Sequence, residues 1–132
     1  MGSEAARQRI SSGGPWEQRF GYSRAVVRGD TCSVSGTTDA GPDGRSRHPG
    51  DAGAQARAIL ELIDDVLARA GFMRSDVVRT RMYLIDAADV AAVGMVHGAW
   101  FADIQPAATM VIVAGLIEPS LRVEIEVDAV RG

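Results

Sequence analysis

Residues 121–130 read Leu-Arg-Val-Glu-Ile-Glu-Val-Asp-Ala-Val. Successive side chains of a strand point to opposite faces. Val123, Ile125, Val127 and Ala129 therefore share one face, and Arg122, Glu124, Glu126 and Asp128 share the other. The first face asks for a core. The second carries three carboxylates, each about 6.5–7 Å from the next along the strand. Such a row repels itself unless paired or solvated, and burial raises its pKa values. Arg79, Arg81 and Arg122 are available as partners. Two readings stay open: a satisfied ion-pair network, or one carboxylate that orients a water as general base.

Working outward, Pro106 breaks the chain, and the last two strands are expected at Thr109–Leu116 and Leu121–Val130, joined around Glu118-Pro119-Ser120. Val77–Ile85 reads as a strand in which Val78, Met82 and Leu84 alternate with Arg79, Arg81 and Tyr83. Ala52–Ala70 is the clearest helix. Ala56, Ile59, Leu60, Ile63, Val66, Leu67 and Ala70 form one apolar stripe, with Asp51 as N-cap and Gly71 as stop. A second helix is expected over about Asp89–Ala102, with Val90, Val93, Val96 or His97, Trp100 and Phe101 inward. Gly94 and Gly98, four apart on it, suggest close approach of a neighbouring backbone. Two early strands, Ala25–Arg28 and Thr31–Ser35, hinge at Gly29-Asp30. Residues 36–50 are rich in glycine, proline and aspartate and read as a long surface loop. Residues 1–15 read as a weakly ordered leader, and 16–132 as a single domain. The order β-β-α-β-α-β-β is α+β, with helices on one sheet face. The other face must find a cover, which suggests a homo-oligomer.

Composition narrows the function. The chain has 132 residues, 46% hydrophobic and 23% charged, and a net charge of −3. That describes one globular domain. All 14 basic residues are arginine. Without lysine there is no Schiff base and no P-loop. The acidic balance argues against nucleic acid as a partner. No apolar run nears a membrane span, and the first fifteen residues carry no signal-peptide pattern. The expectation is a soluble, cytoplasmic domain with no membrane partner. Cys32, the single cysteine, alternates with Val34 and reads as a buried structural thiol. His48 sits in the loop, and His97 on or beside an apolar stripe, where a packed, hydrogen-bonded histidine is expected. Two histidines so placed leave no metal site to propose.

Three stretches together resemble the Rid family, also known as YjgF or endoribonuclease L-PSP. They are GYSRAVVRGDTCSVSGTT from Gly21, DAGAQARAILELIDDVLARAGF with SDVVRTRMYLID, and PAATMVIVAGLIEPSLRVEIEVDAV ending at Val130. The resemblance covers roughly residues 16–130. It implies a chorismate-mutase-like fold and a homotrimeric barrel with three inter-subunit clefts. It also implies cofactor-free hydrolysis of reactive 2-imino acids to 2-oxo acids and ammonia. Carried over by position, the ligand-binding residues are Tyr22, Ser35 and Gly36, and the glutamate that positions the attacking water is Glu124.

One position departs from the family. The arginine that follows Pro-Ala and grips the substrate carboxylate is here Ala108, followed by Thr109. Gly94 stands where asparagine is usual, and His97 near a usual tyrosine. A lost bidentate guanidinium–carboxylate contact costs about 2–5 kcal/mol. Arg24, two residues beyond Tyr22, is the first candidate for a relocated arginine, and Arg122 the second. The first reading is therefore a trimer that binds a small metabolite, or binds and hydrolyses it, without the usual 2-imino-acid deaminase activity. A deaminase with a relocated arginine comes second. A ribonuclease or translation inhibitor, and a purely structural trimer, follow.

Overall fold

The computed structural model describes residues 7–132. Nine main elements run β1 (Arg7–Ile10), α1 (Pro15–Phe20), β2 (Ala25–Arg28), β3 (Thr31–Thr37), α2 (Ala52–Ala70), β4 (Val77–Leu84), α3 (Val90–Trp100), β5 (Ala107–Ile112) and β6 (Val123–Val130). The six strands form one sheet in the order β1-β2-β3-β6-β4-β5. Every pairing is antiparallel except β4–β5. Helices pack on one face of the sheet, as expected. None of the described helices is long and apolar enough to cross a membrane.

The residues of β6 explain why it lies inside the sheet. Val123, Ile125, Val127 and Ala129 are all at most 1% exposed and pack under α2, against Ile59, Leu60, Ile63 and Leu67. The α2 stripe is buried as the periodicity predicts. Asp51 accepts from the Ala54 N–H, and Gly71, at φ 87°, closes the helix in the left-handed conformation that glycine tolerates best.

Several expectations change. Within the supposed leader, Arg7–Ile10 is an edge strand paired with β2, its Ile10 buried, and α1 follows. Residues 1–6 of that leader lie outside the described residues. The order becomes β-α-β-β-α-β-α-β-β. In β4 a register shift between Val77 and Arg79 turns Val77 inward and leaves Val78 exposed, so Thr80, Met82 and Leu84 form the core face. A second shift, between Val34 and Thr37, turns Thr37 inward. The last two strands are not neighbours, because β4 lies between them. Among the described residues, no heavy atom outside α3 stands within 4 Å of where a side chain on Gly94 or Gly98 would begin, so none of them approaches α3 there.

The loop after β3 folds around a buried carboxylate. Asp39 Oδ2 accepts from the Ser46 hydroxyl at 2.7 Å and from the Arg47 and His48 N–H groups at 3.1 Å each. The His48 ring stands 3.2 Å away. Gln55, fully buried on α2, ties this loop to β6. Its Nε2 donates to the carbonyls of His48 and Ser120, and its Oε1 accepts from the Arg122 N–H at 2.8 Å. His48 thus serves the loop.

Candidate ligand site

The charged face of the sheet carries the site. Glu124 stands on β6 beside Gly36 of β3. The fit is close: a methyl group built on Gly36 would lie 2.0 Å from Glu124 Oε2. Only glycine leaves that space. Arg24, just before β2, donates from Nη2 to the Gly36 carbonyl at 2.5 Å. Its backbone carbonyl accepts from the Ser35 N–H, and the Ser35 hydroxyl donates to the Ser23 carbonyl at 2.6 Å. Tyr22 follows the left-handed Gly21 that ends α1. The residue is 42% exposed. A broad depression of about 1110 Å³ is walled in part by Tyr22, Ser33, Ser35, Arg81, Glu126 and Asp128. Arg24, Gly36 and Glu124 are next to these residues in the chain or the sheet but do not line it.

Charge on this face is unevenly settled. Arg81 pairs with Asp128 at 3.1 Å and lies 3.8 Å from Glu126. The Tyr83 phenol donates to Glu126 at 2.5 Å, and that bond raises the phenol's pKa. The ion-pair reading therefore holds for Glu126 and Asp128. Glu124 differs. Burial pushes its carboxyl upward, Arg24 pulls it down, and Glu126 pushes it up again, with a net rise. No cation comes within 4 Å of it among the described residues.

The remaining expected residues gather elsewhere. Ala108 pairs with Thr80, whereas Glu124 pairs with Tyr83. Along β4 that is three residues, about 10 Å, and β5 and β6 flank β4 about 9.5 Å apart. Ala108 also shares the parity of core-facing Thr80, opposite to Glu124. His97 is committed to the same place, its Nε2 2.8 Å from Thr80 Oγ1 and its ring 4.8 Å from that of Phe101. Thr109 accepts from Arg79 Nη2 at 2.9 Å. One chain thus holds two separate groups: Tyr22, Arg24, Ser35, Gly36 and Glu124 in one, His97 and Ala108 in the other, while Thr109 pairs with Arg81 on the charged face.

Two readings need correction. Arg122 does not reach Glu124, because it pairs with Asp89 at 2.8 Å and Asp86 at 3.6 Å and pins the turn before α3. Arg79, read only as a possible ion-pair partner, brings a guanidinium to Thr109. Its Nε is buried with no hydrogen-bond partner among the described residues. The signal was its place beside Thr109, which depends on the parallel β4–β5 pairing. Cys32 is buried, and burial raises its thiol pKa, so it is no nucleophile. Among the described residues no cluster of His, Cys, Asp or Glu is arranged to hold a metal.

His97 also predicts a pH effect. Burial lowers its pKa below the ordinary 6.5. As pH falls through about 6.5 the unfolded chain takes up the proton first, so stability is lost on the acid side. Urea unfolding at about pH 7.5 and about pH 5.5 should show a larger loss for the wild type than for His97→Gln. Equal losses would mean that His97 titrates freely.

The family profile described as Endoribonuclease L-PSP matches residues 16–131. The chain belongs to this family. An uncharacterised protein of Streptomyces coelicolor is 39% identical to this Endoribonuclease L-PSP member over 132 residues, all of this chain and 97% of its own. The 3-aminoacrylate deaminase RutC of Acinetobacter baylyi is 40% identical over 78 residues, 59% of this chain and 61% of RutC. The crystal structure of Rv2704 from Mycobacterium tuberculosis, described as a YjgF/YER057c/UK114 family member, superposes with a TM-score of 0.86. It is 43% identical and covers 96% of this chain and 100% of its own.

Proposed function

We propose that this L-PSP family chain binds a small metabolite beside Glu124 and Gly36, and hydrolyses an imine or enamine there. In this reading Glu124 orients the attacking water. Ser35 and Tyr22 supply hydrogen bonds to the ligand. The seating of Glu124 on the bare Cα of Gly36 carries the reading. A carboxylate seated that closely, partly buried and without an ion-pair partner among the described residues, suits proton transfer better than structural pairing. His97 and Ala108 lie on the opposite face of the sheet from Glu124, too far away to act on the same ligand within one chain. A homotrimer whose neighbours bring the two groups together supplies the complete cleft, as the family resemblance implies.

With alanine at 108, the usual 2-imino-acid deaminase activity is expected to be weak or absent. The likeness to RutC over 78 residues supports enamine or imine chemistry as a class. The relocated-arginine reading, with Arg24 gripping a ligand carboxylate, is less well supported. Arg24 is turned toward Gly36, and its Nε is buried.

A thermal-shift screen of small imines, enamines and their stable analogues tests the proposal. A ligand at 100 times its Kd adds about 2.7 kcal/mol of stability. The expected result is at least one ligand that stabilises the wild type and is lost in Glu124→Gln. A broad screen with no hit that depends on Glu124 would overturn it.

A further inference from the structure

Arg24 is tied to the site in a way the family resemblance does not describe. Its guanidinium is fixed on the Gly36 carbonyl, the peptide on which Glu124 rests. Among the described residues it has no carboxylate within 4 Å, unlike Arg74, Arg81, Arg122 and Arg131. It is nevertheless close enough to act on two acids, Glu124 of β6 and Glu17 of α1. Its Nε is buried without a partner among the described residues, and the side chain is no part of the wall of the neighbouring depression. A guanidinium so placed faces the base rather than the ligand.

We infer that Arg24 is a positioning residue for Glu124: held by the Gly36 carbonyl, it sets a positive charge beside the carboxylate that is seated over Gly36. The inference rests on the reading of Glu124 as the water-orienting group, but its test does not. The physical need is clear. Burial pushes the Glu124 carboxyl upward, and a protonated carboxyl cannot take a proton from water. The nearby groups do not meet that need. Glu126, on the same strand, adds negative charge. Tyr83 of β4 donates its proton to Glu126. Arg81, also of β4, is engaged by Asp128 and Glu126. Arg7 and Arg9 of β1 line the depression and Arg79 of β4 donates to Thr109, but among the described residues Arg24 is the cation that acts on Glu124, through space and without closing an ion pair.

The test is a titration of carboxyl-13C-labelled glutamate by NMR, with Glu124 assigned by its loss in Glu124→Gln. In Arg24→Gln the Glu124 midpoint is expected to move to higher pH. In Arg24→Lys, which keeps the charge, it is expected to stay near the wild-type value. In the wild type itself the Arg24 Nε resonance should follow the Glu124 titration and stop doing so in Glu124→Gln, which needs no folded Arg24 variant. An unchanged midpoint in Arg24→Gln, or an Arg24 resonance blind to Glu124, overturns the inference. So does a result in which Arg24→Gln abolishes ligand-induced stabilisation while the Glu124 midpoint stays put, because that is the mark of a direct ligand contact. A shifted midpoint in a protein that binds no imine or enamine would support the coupling and count only against the proposed function.

Discussion

Gly36→Ala is expected to leave a folded protein with a disabled site. The added methyl would meet Glu124 Oε2 at 2.0 Å, Cδ at 3.0 Å and Cγ at 3.4 Å. All three belong to one flexible side chain, so relief comes from swinging Glu124 away rather than from moving backbone. The cost in folding should stay near or below about 1 kcal/mol, the low end for overpacking. The cost in function is different in kind. A displaced carboxylate no longer sits beside Arg24 or over the Gly36 peptide. A positioned general base is worth roughly 10²–10⁴-fold. Turnover, or ligand-dependent stabilisation, should fall as far in Gly36→Ala as in Glu124→Gln. Denaturation curves alongside ligand titration separate the two effects. A variant with wild-type ligand response would mean that the close fit is incidental.

The second large effect is on stability. Gln55→Leu is expected to cost at least about 3 kcal/mol and to lower Tm by roughly 10 °C or more. Gln55 is fully buried and makes three hydrogen bonds to backbone, with the carbonyls of His48 and Ser120 and the N–H of Arg122. Leucine fills the space and strands all three groups away from water. Each unpaired buried group costs about 1–3 kcal/mol. Because the bonds join the 38–50 loop and the entry to β6, the loop should loosen first. Urea midpoints give the size, and amide exchange at His48 and Arg122 gives the place. A loss below about 1 kcal/mol would show that the carbonyls find other partners.

Much of this was legible from side-chain period alone. The α2 boundaries follow from an apolar stripe between a capping aspartate and a stopping glycine. The two faces of β6 follow from strict alternation. What alternation could not show was how strands pair. Arg7–Ile10 has no apolar period, because an edge strand is held by backbone hydrogen bonds to β2. The shifts at Val77–Arg79 and Val34–Thr37 each invert the faces that a simple period assigns, which is why Val78 was expected inside. The separation of Ala108 from Glu124 required the strand order, since the residues are only sixteen apart in the chain but lie on opposite sides of β4. Arg122 shares the parity of Glu124 but stands one residue before the strand begins, where Asp86 and Asp89 capture it. Arg24 was legible as a neighbour of Tyr22. Its attachment to Gly36 was not.

The central claim is that the Glu124 centre retains hydrolytic machinery while residue 108 selects the ligand. One competition assay tests it most directly. 2-Iminopropanoate is generated in situ by an amino-acid oxidase, semicarbazide traps it, and diversion to pyruvate is measured. The proteins are the wild type, Ala108→Arg, and Ala108→Arg with Glu124→Gln. The account predicts little diversion by the wild type, clear diversion by Ala108→Arg, and its loss in the double variant. Diversion that survives Glu124→Gln, or a folded Ala108→Arg protein as silent as the wild type, would contradict it.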